Sequence, residues 1–358
     1  MRLREPANRR PEPVRRALAT TAFVGAATLV VALGGAAGGT RVTAGLPDRI
    51  ALSGSPNGKG PSQVYLLDLA NGKLRRLTRG KGNHRAFAWT PDGSRLLVAQ
   101  RGGLYAVRAN GSSEVRLTFG GDGSNAGWSP NGKRLAFRAA GSLYVVNSDG
   151  SHKRRLARGI VDGGFFTGNV SWSPNGKQIA FARRDGIYLV RTDGGGAPRR
   201  ITIRPHLRTH CCAGPSTFLQ PTWSKRGSRI AFVVDDAETR GYAIYVMKPD
   251  GTQAIRLQPG HGPVWSPDGS RIAYRNKGDQ VMRSDGTHVR QWRACWCGIS
   301  FSPDGSRLAY PGGRVHESSG ALFVASSDGS GKSRILYAPG GVFKLPLWSR
   351  GTATTEGG

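Results

Sequence analysis

The chain has 358 residues, of which 53 are glycine and 21 proline, with 38% apolar and 21% charged residues. That balance excludes a disordered chain, a collagen-like repeat and a multi-span membrane protein, and suits one large β domain rich in turns. Against 22 acidic residues stand 52 lysines and arginines, a net charge of +30, which favours an anionic partner or surface.

In chain order, the N-terminus comes first and differs from the rest. Arg2, Arg4, Arg9, Arg10, Arg15 and Arg16 precede 24 uncharged residues, Ala17 to Thr40, whose most apolar run is Leu29 to Leu33. Residues 1–44 therefore read as an export signal or an N-terminal membrane anchor with its arginines in the cytoplasm. "VTA" at Val42 to Ala44 offers a small-residue cleavage site, while the length also suits an uncleaved span of about twenty residues. No cysteine follows the apolar run, which argues against a lipoprotein. The expected location is extracytoplasmic: secreted, periplasmic or anchored by residues 17–40.

Residues 45–351 are organised by a repeat, and 352–358 form a short tail. "WTPDGSRLLV" starts at Trp89, "WSPNGKRLAF" at Trp128, "WSPNGKQIAF" at Trp172, "WSKRGSRIAF" at Trp223, "WSPDGSRIAY" at Trp265, "FSPDGSRLAY" at Phe301, and a broken "WSRG" at Trp348. The starts are 39, 44, 51, 42, 36 and 47 residues apart, a period near forty that signals radially stacked β units. Within the unit a turn such as Pro267-Asp268-Gly269 joins two alternating strands. A second hairpin follows, turned by another Asp-Gly pair, as in "LYVVNSDGSHKRRL" (Leu143 to Leu156) and "IYVMKPDGTQAIRL" (Ile244 to Leu257). Two hairpins give the four strands of a propeller blade.

The W-S-P-D-G core with its paired "DG" hairpin resembles the PD40, or WD40-like, repeat of TolB-type β-propellers, a repeat also found in the propeller half of prolyl-oligopeptidase-type peptidases. The resemblance covers roughly residues 49 to 351. It implies a fold and a habit of binding proteins in the cell envelope, with a partner peptide entering the channel; the fold by itself fixes no chemistry. The chain lacks a recognisable N-terminal α/β domain of the TolB kind, so a TolB-like propeller is expected rather than TolB itself.

The fold class is all-β, a propeller of four-stranded blades. Counting second hairpins gives seven blades; six, the more familiar TolB arrangement, is the alternative if the short hairpin at Gln280 is irregular. "RIAL" (Arg49 to Leu52) opens a blade with no Trp strand before it, and "LPLWSRG" at the C-terminus has a Trp strand with no second hairpin. The C-terminal strand is therefore expected to close the ring in the first blade, leaving no edge unpaired.

Cys211, Cys212, Cys295 and Cys297 make an even number in an exported chain, so one or two disulfides are expected, with connectivity open. A metal site built from His206, His210 and His261 with these cysteines is the weaker alternative, because the spacing matches no standard zinc module. No cofactor is expected. Many arginines repeat with the blade: Arg95, Arg134, Arg229, Arg271 and Arg307 follow the turn glycine, and Arg76, Arg116, Arg155, Arg200 and Arg256 fall in the last strand. They are read as solvated outer-strand residues, with an anion-binding belt as the alternative.

No G-x-S-x-G elbow or separate peptidase domain is visible, so a non-enzyme is expected. Asp92, Asp268 and Asp304 are read as turn formers and Asp149, Asp193, Asp250, Asp285 and Asp328 as hairpin corners, while Asp235, Asp236 and Glu238 cluster in a loop between two hairpins. The function this supports is an exported, non-catalytic scaffold, a monomer that binds a protein or peptide of the cell envelope through loops on one face. The alternatives are a propeller hydrolase or lyase working in the central funnel, and a binder of anionic envelope polymer or membrane surface; nucleic acid is not expected. The contact candidates lie in the irregular stretches leading into the Trp strands: His84, Arg85, Asp122, Asn125, Phe165, Phe166, Asn169, His210, His261 and Trp296.

Overall fold

The computed structural model describes residues 49–55, 60–100, 102–119, 122–160, 170–202, 217–236, 241–292, 299–312, 321–328, 332–336 and 342–349. Among them, 28 strands form seven four-stranded antiparallel sheets and no helix occurs. The chain is a seven-bladed β-propeller. Blades 2 to 7 each run as a meander from the inner strand outward. The inner strands are Arg85–Trp89, Asp122–Trp128, Val170–Trp172, Thr217–Trp223, His261–Trp265 and Ser300–Phe301. Blade 1 is the exception. Its order places Val342–Ser349 against Arg49–Ser55, then Gln63–Asp68 and Leu74–Arg76, so the last strand of the chain completes the first blade. Seven blades and C-terminal closure agree with the reading of the sequence.

The repeated turn is held by hydrogen bonds that account for its residues. In blade 6, Ser266 is almost fully buried and its Oγ accepts the Arg271 N–H at 2.9 Å while donating to Asp268. Asp268 in turn accepts the N–H and Oγ–H of Ser270 at 3.1 and 2.6 Å. Gly269 closes the loop at a φ of 71°, where a side chain would be strained. The same pattern recurs around Thr90, Ser129, Ser173 and Ser302.

Consecutive turns also touch. A Cβ on Gly132 would lie 3.5 Å from Pro91 of the preceding blade, one on Gly176 would lie 3.7 Å from Pro130, and one on Gly305 would lie 3.2 Å from Pro267. The prolines and glycines thus do two things at once: they bend the chain and stack the turns around one face of the disc.

Between the blades lies the core. Ala136, Leu143 and Val145 of blade 3 pack on Trp172, Ile179 and Phe181 of blade 4, and Ala180, Ile187 and Leu189 of blade 4 pack on Trp223, Ile230 and Phe232 of blade 5. Each sheet buries both of its faces against neighbours, and fully burying one large apolar side chain is worth about 1.5–3 kcal/mol.

The tryptophans latch one blade to the next. The indole N–H of Trp89 donates to Leu347 O at 3.0 Å, that of Trp172 to Gly127 O at 2.9 Å and that of Trp265 to Thr222 O at 3.0 Å. The acceptor is each time the residue before the preceding blade's Trp. Trp348 is buried like Trp172 and Trp265, and the Arg307 guanidinium lies 4.8 Å from its ring centre, as that of Arg134 lies 5.4 Å from Trp172. The closing strand therefore repeats an interior blade contact.

Candidate functional site

Antiparallel meanders sort the connections onto two faces. The turns after the Trp strands and the Asp-Gly hairpins share one end of every sheet, here the turn face. The hairpins between second and third strands and the links that enter each Trp strand share the other, the loop face. Turns 90–94, 129–133, 173–177, 266–270 and 302–306 have equal length, whereas the entering links range from Gly260 alone to the whole of 201–216.

The sequence-derived contact candidates distribute along the loop face. His84 directly precedes the inner strand of blade 2, and Arg85 begins it, exposed, with its guanidinium 5.0 Å from the Phe87 ring centre. Asp122 and Asn125 fall inside the inner strand of blade 3, at a register shift before Ala126, rather than in the preceding loop. His261 starts the inner strand of blade 6. Both imidazoles are buried, His84 at 4% exposure and His261 at 7%, which suits packing more than solvent-facing contact. Burial, reinforced by the charge of Arg275, depresses the His261 pKa to about 4, so this ring is neutral at physiological pH. Tyr242 packs edge-on against it, centroids 5.8 Å apart. Phe165, Phe166, Asn169, His206, His210, Cys211, Cys212, Cys295, Trp296 and Cys297 lie outside the described residues.

Sequence reasoning missed a carboxylate at the loop-face end of blade 6. Asp279 has 0% exposure, and among the described residues its one partner is the Arg275 Nε at 3.5 Å, with neither oxygen in a closer hydrogen bond there. Burial pushes its pKa up to about 6 despite the guanidinium. In the string "NKGDQV" it looks like any turn aspartate, and only the register that pairs it with Arg275 reveals its setting.

Arginines that follow the turn glycine are not outer-strand residues. Arg95, Arg134, Arg271 and Arg307 start the second strand and Arg229 directly precedes it, and three of them reach across to the next blade's Asp-Gly hairpin. Arg95 donates to Ser148 O at 3.4 Å, Arg134 to Thr192 O at 3.2 Å, and Arg271 to Ser327 Oγ. The second set does lie in outermost strands, where Arg76 and Arg116 donate to the carbonyls of Thr78 and Thr118 at 2.7 and 3.1 Å. The outermost strands together hold Arg75, Arg76, Arg116, Arg154, Arg155, Arg158, Arg199, Arg200, Arg256, Arg290, Lys332 and Arg334 against one acid, Glu114. Charges there also guard the open sheet edges against pairing with other chains.

Between the turns of blades 3 and 4 lies a cleft of about 760 Å³, bounded by Asn131, Arg134, Asn175, Lys177 and the Arg191–Asp193 hairpin. Among the described residues no group of three His, Cys, Asp or Glu side chains could hold a metal ion.

Residues 34–196 match the PD40 family model, described as the TolB beta propeller domain. No curated protein matches the sequence. Among solved structures, TolB from Acinetobacter baumannii superposes with a TM-score of 0.53 at 19% identity, over 84% of this chain and 66% of that one; the chain spans just under two thirds of its length. An oligogalacturonate lyase in complex with manganese gives a TM-score of 0.57 at 16% identity, covering 83% of this chain and 86% of that one. Apo AztD from Citrobacter koseri gives 0.57 at 10%, covering 85% and 98%. At these identities the structural likeness carries the fold alone, since propellers of one architecture host unrelated functions.

Proposed function

We propose that this PD40, TolB-like propeller is an exported, non-catalytic scaffold that holds a protein or peptide of the cell envelope on its loop face. The observation that carries the reading is the asymmetry of the disc: connections on the turn face stay within five to seven residues, while those on the other face range from one residue to sixteen. Length variation is structurally cheap in a loop and is where recognition collects on a rigid scaffold. The basic segment followed by 24 uncharged residues at Ala17–Thr40 supports export.

Affinity capture from envelope extract tests this. The wild-type protein should retain a defined partner, and Phe165→Ala/Phe166→Ala should lose it without a change in melting temperature. An identical capture profile for both proteins, or turnover of oligogalacturonate by the wild type, would refute the scaffold reading.

A further inference from the structure

The turn face is uniform in geometry but not in charge. Blades 2, 6 and 7 turn on Pro-Asp-Gly-Ser (Pro91 to Ser94, Pro267 to Ser270, Pro303 to Ser306), blades 3 and 4 on Pro-Asn-Gly-Lys (Pro130 to Lys133, Pro174 to Lys177), and blade 5 on Lys-Arg-Gly-Ser (Lys225 to Ser228). The asparagines make the turn as well as the aspartates do. Asn131 Oδ1 accepts from Ser129 Oγ and Lys133 N at 2.8 and 3.1 Å, and Asn175 Oδ1 from Ser173 Oγ and Lys177 N at 2.7 and 3.0 Å.

What the exchange alters is the outward chemistry. In blades 2, 6 and 7 the second carboxylate oxygen accepts the hydroxyl of Ser94, Ser270 or Ser306. In blades 3 and 4 that position is an amide NH₂ donor, and the serine becomes an exposed lysine. Each such turn passes from one negative to one positive charge, and blade 5 adds Lys225 and Arg226, both exposed. Among the turns after the Trp strands, those of blades 3 to 5 are cationic and those of blades 2, 6 and 7 anionic. Turn formation does not require this, because Asn-Gly and Asp-Gly are equivalent as turn formers. Edge protection does not require it either, since these residues are not on outer strands.

The cleft of about 760 Å³ opens within the cationic arc. Arg134 is fixed beside it by Thr192 and by the Trp172 ring. From blade 3, Arg154 lies across Gly194 of the hairpin that follows Asp193: a Cβ there would come within 1.2 Å of its terminal nitrogen. Arg154 thus sets the outer strand that also bears Arg155 and Arg158 beside the hairpin bounding the cleft. Blades 5 and 6 guard their outer edges with single arginines, Arg256 and Arg290, so three in blade 3 exceed what that role needs.

We propose that the turn face of blades 3 to 5, centred on this cleft, binds an acidic polysaccharide. Lysine and arginine side chains meet its anionic groups, and the amides of Asn131, Asn175 and Gln178 meet its hydroxyls. Mixed amide and cationic donors with one carboxylate, Asp193, suit a polyol bearing spaced negative charges. The exposed large apolar residues among those described, Phe119, Ile255, Val264 and Val289, all lie outside the cleft lining, which disfavours an apolar peptide or an inserted membrane wedge. The site is on the face opposite the proposed protein contact and stands independently of it.

The test uses the protein's own turns. Asn131→Asp/Lys133→Ser with Asn175→Asp/Lys177→Ser rewrites blades 3 and 4 as the turns of blades 2, 6 and 7, so folding should be kept and melting temperature checks it. Binding is measured on immobilised alginate and phosphorylated mannan, with neutral dextran and anionic phospholipid vesicles alongside. The wild type should bind one or both charged glycans, and the variant at least tenfold more weakly; the preferred glycan tells carboxylate from phosphate. Equal binding by the two proteins, tighter binding to vesicles than to either glycan, or an equal loss from Arg76→Ala/Arg290→Ala, outer-strand arginines of blades 1 and 6, would overturn the site.

Discussion

Blade 6 carries two aspartates whose settings differ as the two faces of the disc differ. Asp268, on the turn face, is exposed and accepts from Ser266 and from both donors of Ser270; burial pushes its pKa up, the hydrogen bonds outweigh it, and the group settles at about 2. Asp279, on the loop face, is fully buried with one long ion pair and is raised to about 6. The first is a structural anion fitted to its turn. The second opposes folding at neutral pH, and tolerance of such a group suits the side on which the sequence varies.

The largest effect should come from breaking the frame that both faces share. Trp348→Ala empties a buried inter-blade site and should cost about 3–5 kcal/mol, the usual range for a core aromatic. Deleting residues 342–358 should abolish a cooperative melt, because it opens both edges of the ring. Melting temperatures equal to wild type would disprove the importance of closure.

Next comes the loop-face carboxylate. A folded-state pKa raised from 3.8 to about 6 means that its contribution is fully present below pH 4 and is lost as pH rises through 6. Asp279→Asn should therefore stabilise the protein by up to about 3 kcal/mol at pH 7.5, at 1.36 kcal/mol per pKa unit, and the gain should vanish near pH 4. Denaturant melts of both proteins at the two pH values read the difference directly. His261, depressed from 6.5 to about 4, has the opposite sign: its contribution is lost as pH falls from about 6.5 towards 4, in both proteins. A pH-independent gain would deny Asp279 its role.

On the turn face the expected loss is smaller. Ser266→Ala removes the acceptor of the buried Arg271 N–H and a donor to Asp268, which should cost about 1–3 kcal/mol. Because Asp268 is then less favoured as an anion, the loss should shrink as pH falls towards 2. A neutral substitution would show that proline and glycine alone hold the turn.

Much of this was readable from local chemistry. Pro267, Asp268 and Gly269 announce a turn wherever they occur, and seven paired hairpins spaced near forty residues leave few architectures besides a propeller. Closure was readable because Arg49 to Leu52 and Trp348 each lack what the other supplies. Arg95, Arg134 and Arg271 were misread as outer-strand residues because their partners, Ser148, Thr192 and Ser327, are more than fifty residues away and belong to the next blade. The Asn131-Gly132-Lys133 and Asn175-Gly176-Lys177 turns stood in the sequence as plainly as the others. Their meaning depends on their being neighbours on one face, which only the assembled ring provides.

Placing the inner strand of the first blade at the end of the chain also orders events in time. As the polypeptide emerges N-terminus first, Arg49–Ser55 waits with one side unpaired until Val342–Ser349 has followed. The unfinished ring is an open arc, exposing strand edges to any other chain nearby. A protein built this way matures in a single late step, and whatever partner or polymer it meets afterwards encounters either a finished disc or none.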